Sequence, residues 1–199
     1  MKSIVLLSGG LDSAVSLAWA QRNQYPILCL TFDYGQRAAA NERLASKKLA
    51  EHFQVDVNIV EVPFLNELTG NSASSKNGFF LNIAAAYAEN LDASLIIAGF
   101  SSEEARVFPD KSFEYIKAKD NTLNMSTLSK VKVVCPTQNM SKEEIVNLGR
   151  KLEIPFEFIW ACCQEGKKMC GSCEGCQGYI KALQHNGIKN IWNKEQVVL

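Results

Sequence analysis

Neither sign of charge is in excess in this chain, where twenty-one Lys and Arg stand against twenty-one Asp and Glu. That balance excludes a broad nucleic-acid or membrane surface held by bulk electrostatics, though not a local basic patch. No apolar run approaches the ~20 residues that a membrane span needs. The first residues open a strand pattern at once, without the regions of a secretory leader, so a cytoplasmic protein with no membrane contact is expected. Histidine is scarce, and His52 and His185 fall outside every motif described below. Two common phosphate-binding signatures are also missing: the ATPase loop ending in Gly-Lys-Ser/Thr and the dinucleotide fingerprint G-x-G-x-x-G. No internal repeat is visible.

What is present suits a single sizeable core, since 47% of the 199 residues are apolar and 21% charged, with room for a short appendage. Short apolar runs over residues 4–7, 27–32, 57–62, 95–99 and 131–135 alternate with helical patterns over 14–22, 38–53, 80–90, 112–128 and 142–152. The alternation predicts βαβ units and an α/β fold with a doubly wound, mostly parallel sheet, its strands apolar because both faces are covered. Ser141-Lys142-Glu143-Glu144 reads as a capping box, and Ile154-Pro155 closes the helix that follows it. Residues 66–77, rich in Ser, Asn and Gly, are expected to form a mobile loop. After residue 158 the pattern becomes a cysteine cluster followed by a last helix over 175–186. Ligands of such sheets bind beyond the carboxyl ends of the strands. The places to look are therefore the first loop, Asp33-Tyr34-Gly35-Gln36-Arg37, residues 102–110 and Pro136-Thr137.

The first loop is Ser8-Gly9-Gly10-Leu11-Asp12-Ser13, directly after the first apolar run. Strand, glycine turn and helix together make a phosphate cradle, because a helix N-terminus leaves N–H groups unpaired and carries a partial positive charge. The two glycines let the backbone come close to the ligand. Ser-Gly-Gly-x-Asp-Ser resembles the PP-loop of the N-type ATP pyrophosphatases, which cleave ATP between its α and β phosphates to adenylate a substrate. That resemblance implies an adenine nucleotide alpha hydrolase-like fold.

Of the seven cysteines, four carry a metal signature: Cys162-x7-Cys170-x2-Cys173-x2-Cys176. Such spacing suits tetrahedral Zn²⁺, with an iron–sulfur cluster, free thiols or a disulfide as the alternatives. Cys163 competes with Cys162 for the first position. Four thiolates close a zinc site, so its role would be structural, holding a helical C-terminal appendage near the active-site mouth. Cys29 and Cys135, in apolar strand contexts, read as core residues.

The two end motifs together look like the 7-cyano-7-deazaguanine synthase family, and the likeness runs from about Ile4 to Ile188. It includes Thr31-Phe32-Asp33-Tyr34-Gly35-Gln36-Arg37 with Glu42, Lys76-Asn77 before Phe80-Leu81, Gly99, Phe108-Pro109-Asp110, Pro136-Thr137 and Trp160-Ala161-Cys162. The resemblance implies that ATP, with Mg²⁺, adenylates 7-carboxy-7-deazaguanine, that ammonia displaces AMP to give an amide, and that a second adenylation leads to the nitrile. It further implies an ATP site of Leu7, Ser8, Gly9, Gly10, Leu11, Asp12, Ser13 and Arg37. Catalysis would fall to Ser8, Asp12, Ser13 and Lys76, with Asp12 orienting the loop or meeting the metal. Arg37 and Lys76 would meet an anionic carboxylate or phosphate. Lys76, Asn77, Phe108 and Asp110 would hold the substrate, Asp110 accepting paired hydrogen bonds from the base edge and Phe108 stacking on its face. Three positions depart from the family pattern: Ser74-Ser75-Lys76-Asn77 replaces Pro-x-Arg-Asn, Ala105-Arg106-Val107 replaces Ser-Gly-Tyr, and Cys163 replaces a tyrosine. Lysine lacks the bidentate fork of the arginine it replaces.

The division expected is residues 1–158 as a PP-loop ATP-binding domain, with the zinc-binding segment 159–199 packed on it. A homodimer is implied by the resemblance, and the apolar residues 188–199 are either part of its interface or a docked or frayed tail. Two other functions are compatible with a nucleotide-binding loop. One transfers the activated acyl group to a protein or nucleic acid partner, and the other is a silent nucleotide-binding scaffold.

Overall fold

Alternate residues of the apolar strands bury on opposite sides, and this decides where the helices stack. The computed structural model describes residues 1–23, 27–69 and 75–189. The five strands are β1 (Ser3–Leu6), β2 (Ile27–Asp33), β3 (Asp56–Glu61), β4 (Leu95–Ile97) and β5 (Lys132–Val134). All pair in parallel in the order β3-β2-β1-β4-β5. Val5, Cys29 and Ile97 pack into one core with residues of α1 (Leu11–Arg22), α2 (Ala39–His52), α7 (Lys142–Lys151) and α8 (Glu174–His185). Their strand neighbours Ile4, Leu30 and Ile96 pack into the other, against α3 (Phe64–Thr69), α4 (Lys76–Asn90) and α6 (Phe113–Ser126). A parallel sheet covered on both faces explains why these strands lack polar alternation.

The expected elements are all present, with ends shifted by a few residues. The capping box exists as read, since the Ser141 hydroxyl accepts from the Glu144 N–H and the Glu144 carboxylate accepts from the Ser141 N–H. Three differences bear on the site. The first helix begins at Leu11 rather than residue 14, which puts Asp12 and Ser13 in its first turn. The expected loop over 66–77 is largely helical where described: α3 is started by Pro63 and anchored by fully buried Leu65, and α4 starts at Lys76 after Ser75 turns the chain at φ +71°. Residues 70–74 of that expected loop lie outside the described residues. Within 102–110 the chain forms α5 (Ser102–Val107), because the Ser101 hydroxyl caps the Glu104 N–H and two glutamates occupy the first turn, both favourable at a helix start. No helix among the described residues is long and apolar enough to cross a membrane.

Candidate active site

The chain runs outward from β1 to β3 and returns to β4 on the other side of β1, so the loop after β1 sits where the strand order reverses. Ligands of doubly wound sheets bind at that point. Gly9 has φ +79°, and a Cβ there would lie 2.7 Å from the Ala45 Cβ and 2.9 Å from the Glu42 carbonyl oxygen. Only glycine lets α2 approach the loop this closely. Gly10 is the N-cap of α1. The Ser13 hydroxyl donates to the Gly10 carbonyl at 3.0 Å and accepts from the Ser8 N–H at 3.2 Å, with the Ser8 hydroxyl 3.1 Å away. The two serines thus fasten the loop to the first helical turn, where N–H groups have no intrahelical acceptor.

Around this loop opens a cleft of about 740 Å³. Leu7, Ser8, Gly10, Leu11, Asp12 and Ser13 form its floor, while Phe32, Tyr34, Glu42, Asn77 and Phe80 form one wall. Gly99, Phe100, Glu103, Glu104, Phe108 and Lys111 line it from the segments after β4, adjoining Asn77 through Asp110, and Lys142, Trp160 and Cys162 complete the lining. Gly99 is required here, because a Cβ on it would meet the Asp12 carbonyl oxygen at 2.4 Å.

A chain of alternating charges crosses the cleft. The Lys142 ammonium lies 2.7 Å from one Asp12 carboxylate oxygen and 3.6 Å from Glu104, and Glu104 in turn lies 3.3 Å from the Lys111 ammonium. Burial pushes the Asp12 carboxyl up to about 6, although Lys142 pulls it down in part. For Glu104 burial acts upward too, but Lys111 and Lys142 outweigh it and hold the carboxyl below its ordinary value. Lys142 is held above its ordinary value because Asp12 and Glu104 overcome its burial. The other Asp12 oxygen, Oδ1, is buried with no hydrogen-bond partner. Glu103 meanwhile accepts from the Lys142 backbone N–H at the start of α7.

The sequence-expected residues divide into those on the wall and those off it. Phe108 and Asn77 line the cleft with the phosphate loop. Asp110 is buried just off the wall, where one oxygen accepts from both the backbone N–H (3.2 Å) and the side-chain amide (2.9 Å) of Asn77 and the other has no hydrogen-bond partner. Lys76 is buried and also set off the wall, its ammonium 4.4 Å from the centre of the Tyr34 ring. Arg37 is exposed and outside the lining, and Gly9 packs against α2 and is likewise outside it. Lys142, Glu104, Lys111 and Glu42 were not among the expected site residues. Lys142 offers one sequence signal, since a cation in the first turn of a helix opposes the helix dipole and so is not there for the helix's sake. Glu42 lines the cleft while accepting from the Gln36 amide at 2.7 Å, and burial raises its carboxyl.

The sulfurs of Cys162, Cys170, Cys173 and Cys176 all lie within 4.8 Å of one another, a cluster able to hold a metal ion. Two pairs are given by contacts, Cys170–Cys176 at 3.8 Å and Cys162–Cys173 at 3.9 Å. Cys163 is exposed and outside the cluster, which leaves Cys162 as the fourth member. The backbone N–H groups of Gln164 and Cys170 both point to the Cys162 sulfur at 3.4 Å. The Ser172 hydroxyl, then backbone N–H groups, hold the Cys170 thiol down to about 5. The cluster is joined to the cleft through Trp160, whose backbone N–H donates to the Gly9 carbonyl at 2.9 Å.

The family model for queuosine biosynthesis protein QueC matches residues 2–78 and 73–187. A 7-cyano-7-deazaguanine synthase from Pelotomaculum thermopropionicum is 42% identical, covering 95% of this chain and 99% of the relative. That alignment spans 219 positions, more than the 199 residues here, so the relative carries residues this chain lacks. A 7-cyano-7-deazaguanine synthase from Methanosarcina mazei is 36% identical, over 96% of each chain. Among solved structures, NMN synthetase from Francisella tularensis superposes with a TM-score of 0.57 at 15% identity, covering 95% of this chain and 78% of that one. A 4-thiouridine synthetase in complex with RNA and ATP gives 0.52 at 19% identity, covering 76% and 40%. At those identities the two structures share the fold.

Proposed function

The chain belongs to the QueC family of queuosine biosynthesis proteins, and from that premise we propose that it is an ATP-dependent ligase converting 7-carboxy-7-deazaguanine and ammonia into 7-cyano-7-deazaguanine. The observation that carries this reading is one cleft holding a phosphate loop on its floor and, on its walls, Phe108 and Asn77 with the Asp110 carboxylate behind it. A planar base acid and a nucleotide would thus meet in one space.

In the first step a carboxylate oxygen attacks the α-phosphorus of ATP, the new O–P bond forms, and the bond to pyrophosphate breaks. The backbone of Leu7 to Ser13 and the hydroxyls of Ser8 and Ser13 would hold the pyrophosphate end, with Lys142 supplying positive charge beside it. Ammonia then attacks the carboxyl carbon, AMP departs with the C–O electron pair, and a proton is lost to give the amide. The amide oxygen next attacks a second ATP, expelling pyrophosphate, and loss of AMP and of the nitrogen's protons leaves the nitrile. Mg²⁺ on the polyphosphate would neutralise the developing charge, and the unpartnered Asp12 Oδ1 is the oxygen suited to it. Asp110 would read the base edge with its unpartnered oxygen while Asn77 fixes the other. Asn77 and Phe108 would contact the base directly, and Lys76 and Arg37 would act from outside the wall on the site's charge.

The thiol cluster suits Zn²⁺, because sulfurs at about 2.3 Å from a tetrahedral ion are about 3.8 Å apart, close to the 3.8 and 3.9 Å here. Cys162, Cys170, Cys173 and Cys176 would hold it as a structural ion that braces Trp160 against the loop. In this reading residues 1–158 form the ATP-binding domain and 159–199 the zinc-binding segment packed on it, with 190–199 outside the described residues. The reading carries with it a cytoplasmic homodimer, in a compartment that keeps thiols reduced.

The test is to incubate the purified protein with MgATP, ammonium and 7-carboxy-7-deazaguanine and to follow products by mass spectrometry. Nitrile, AMP and pyrophosphate that depend on the acid are expected. ATP cleavage to ADP, or AMP release indifferent to the acid, would overturn the reading.

A further inference from the structure

We infer that Lys111 is the specificity-determining side chain that receives the substrate's carboxylate, with Glu104 as its resting counter-ion; the inference rests on the reaction proposed above. An acid entering the cleft needs a cation near the end that holds its ring, and the cations expected for this, Arg37 and Lys76, are both off the wall. Among the described residues the cations lining the cleft are Lys111, Lys142 and Lys181. Lys142 is committed to Asp12 at the phosphate loop. The Lys181 side chain is 82% exposed and faces Glu143 at 3.9 Å, so it sits in high dielectric at the rim.

Lys111 differs from Lys181 in being sheltered, its side chain 19% exposed, and from Lys142 in pairing with Glu104 rather than with Asp12. Its ammonium stands over the Phe108 ring, 5.1 Å from the centre, and 5.7 Å from that of Phe100. The backbone beneath it is fixed, because the Lys111 carbonyl accepts from the Gln138 amide at 2.7 Å. An acid that touches Phe108 beside this ammonium would therefore turn its edge carboxylate to it. The resting partner can give way, since Glu104 is shared between Lys111 at 3.3 Å and Lys142 at 3.6 Å. Asp12 and Glu104 balance the two lysines at rest, so an incoming carboxylate takes the place of Glu104 on Lys111 while Glu104 stays beside Lys142. A neutral ligand gains nothing from this arrangement.

The two halves of the reaction supply the discriminating measurement, because the first substrate is an anion and the intermediate carboxamide is neutral. For Lys111→Gln, kcat/KM for the acid is expected to fall about 10- to 100-fold, chiefly through KM, as befits loss of one charge-assisted contact. The KM for ATP and the conversion of added carboxamide to nitrile should stay within about two-fold of wild type. Lys111→Arg keeps the charge and should keep the wild-type preference for acid over carboxamide, and it carries the test if the Gln variant folds poorly. Equal losses on acid and carboxamide, or a change of preference in the Arg variant as large as in Gln, would show that Lys111 only supports the wall. A wild type inactive on both compounds would remove the proposed reaction and this inference with it, whereas an active wild type with an indifferent Lys111→Gln removes the inference alone.

Discussion

Asp12 faces opposing demands, since it is buried under the cleft floor yet touches an ammonium. Burial dominates, and its carboxyl rises from 3.8 to about 6. A carboxyl that binds its proton more tightly when folded contributes most stability below its unfolded pKa and loses it as pH climbs through the folded value. Without nucleotide, wild type should therefore lose about 2 kcal/mol between pH 4 and 7 through this group. Asp12→Asn lacks that titration, so the difference in Tm between variant and wild type should move in the variant's favour across the same window, while acid-dependent AMP release disappears. A difference in Tm that stays flat with pH would mean that Asp12 titrates normally. At this scale the sequence reveals residues that lie together along the chain. Ser8, Gly10, Asp12 and Ser13 were legible because six consecutive positions build the loop. Lys142 was not, because it meets Asp12 across 130 positions and its own neighbourhood reads only as a helix start. Glu104 fell within the stretch 102–110 read as a ligand-binding region but was not singled out there, nor was Lys111 next to it, and the Lys76 ammonium lies over the Tyr34 ring.

Between elements, the segment just after β4 comes very close to the start of α1. Gly99 lets the Asp12 backbone pass where a methyl group would lie 2.4 Å from its carbonyl oxygen. Since backbone on both sides cannot yield without moving α1, Gly99→Ala should destabilise by about 1–3 kcal/mol. It should also reduce AMP formation more than the lost stability explains, as judged by rates measured well below Tm. A variant with wild-type kinetics would show that α1 tolerates displacement. Element boundaries illustrate a second limit of the sequence. The pattern of α4 becomes apolar only near Phe80, so its first turn, with Lys76 and Asn77, was read as loop. The helix α5 was missed because six residues give little periodicity, and its support is a cap from Ser101 that local sequence alone leaves ambiguous.

Across the whole molecule, the thiol cluster and the phosphate loop are one mechanical unit. Trp160 and Cys162 pack in a common cluster with Ala38, Ala45 and Cys176, and the Trp160 N–H reaches Gly9. Gly175 touches the Ala161 carbonyl so closely that a Cβ there would lie at 2.2 Å, so α8 is seated on the same strap. Cys173→Ser should therefore lower bound zinc and Tm together and weaken ATP binding at a site it does not touch. Zinc analysis, thermal unfolding and nucleotide titration of the same preparation check this, and retention of one zinc per chain would refute the ligand set. The cysteine spacing made the cluster legible in the sequence, but its bond to the first loop was not, because a backbone-to-backbone contact leaves no trace in residue identity.

The hydrogen bond from Trp160 to Gly9 also has a meaning in time. The loop follows β1, the central strand of the sheet, and so precedes in the chain the segment that steadies it. The donor that steadies it is made only after residue 159. A nascent chain thus carries this loop before the residue that sets it, and the loop takes its final geometry only once the cysteine-rich segment has followed.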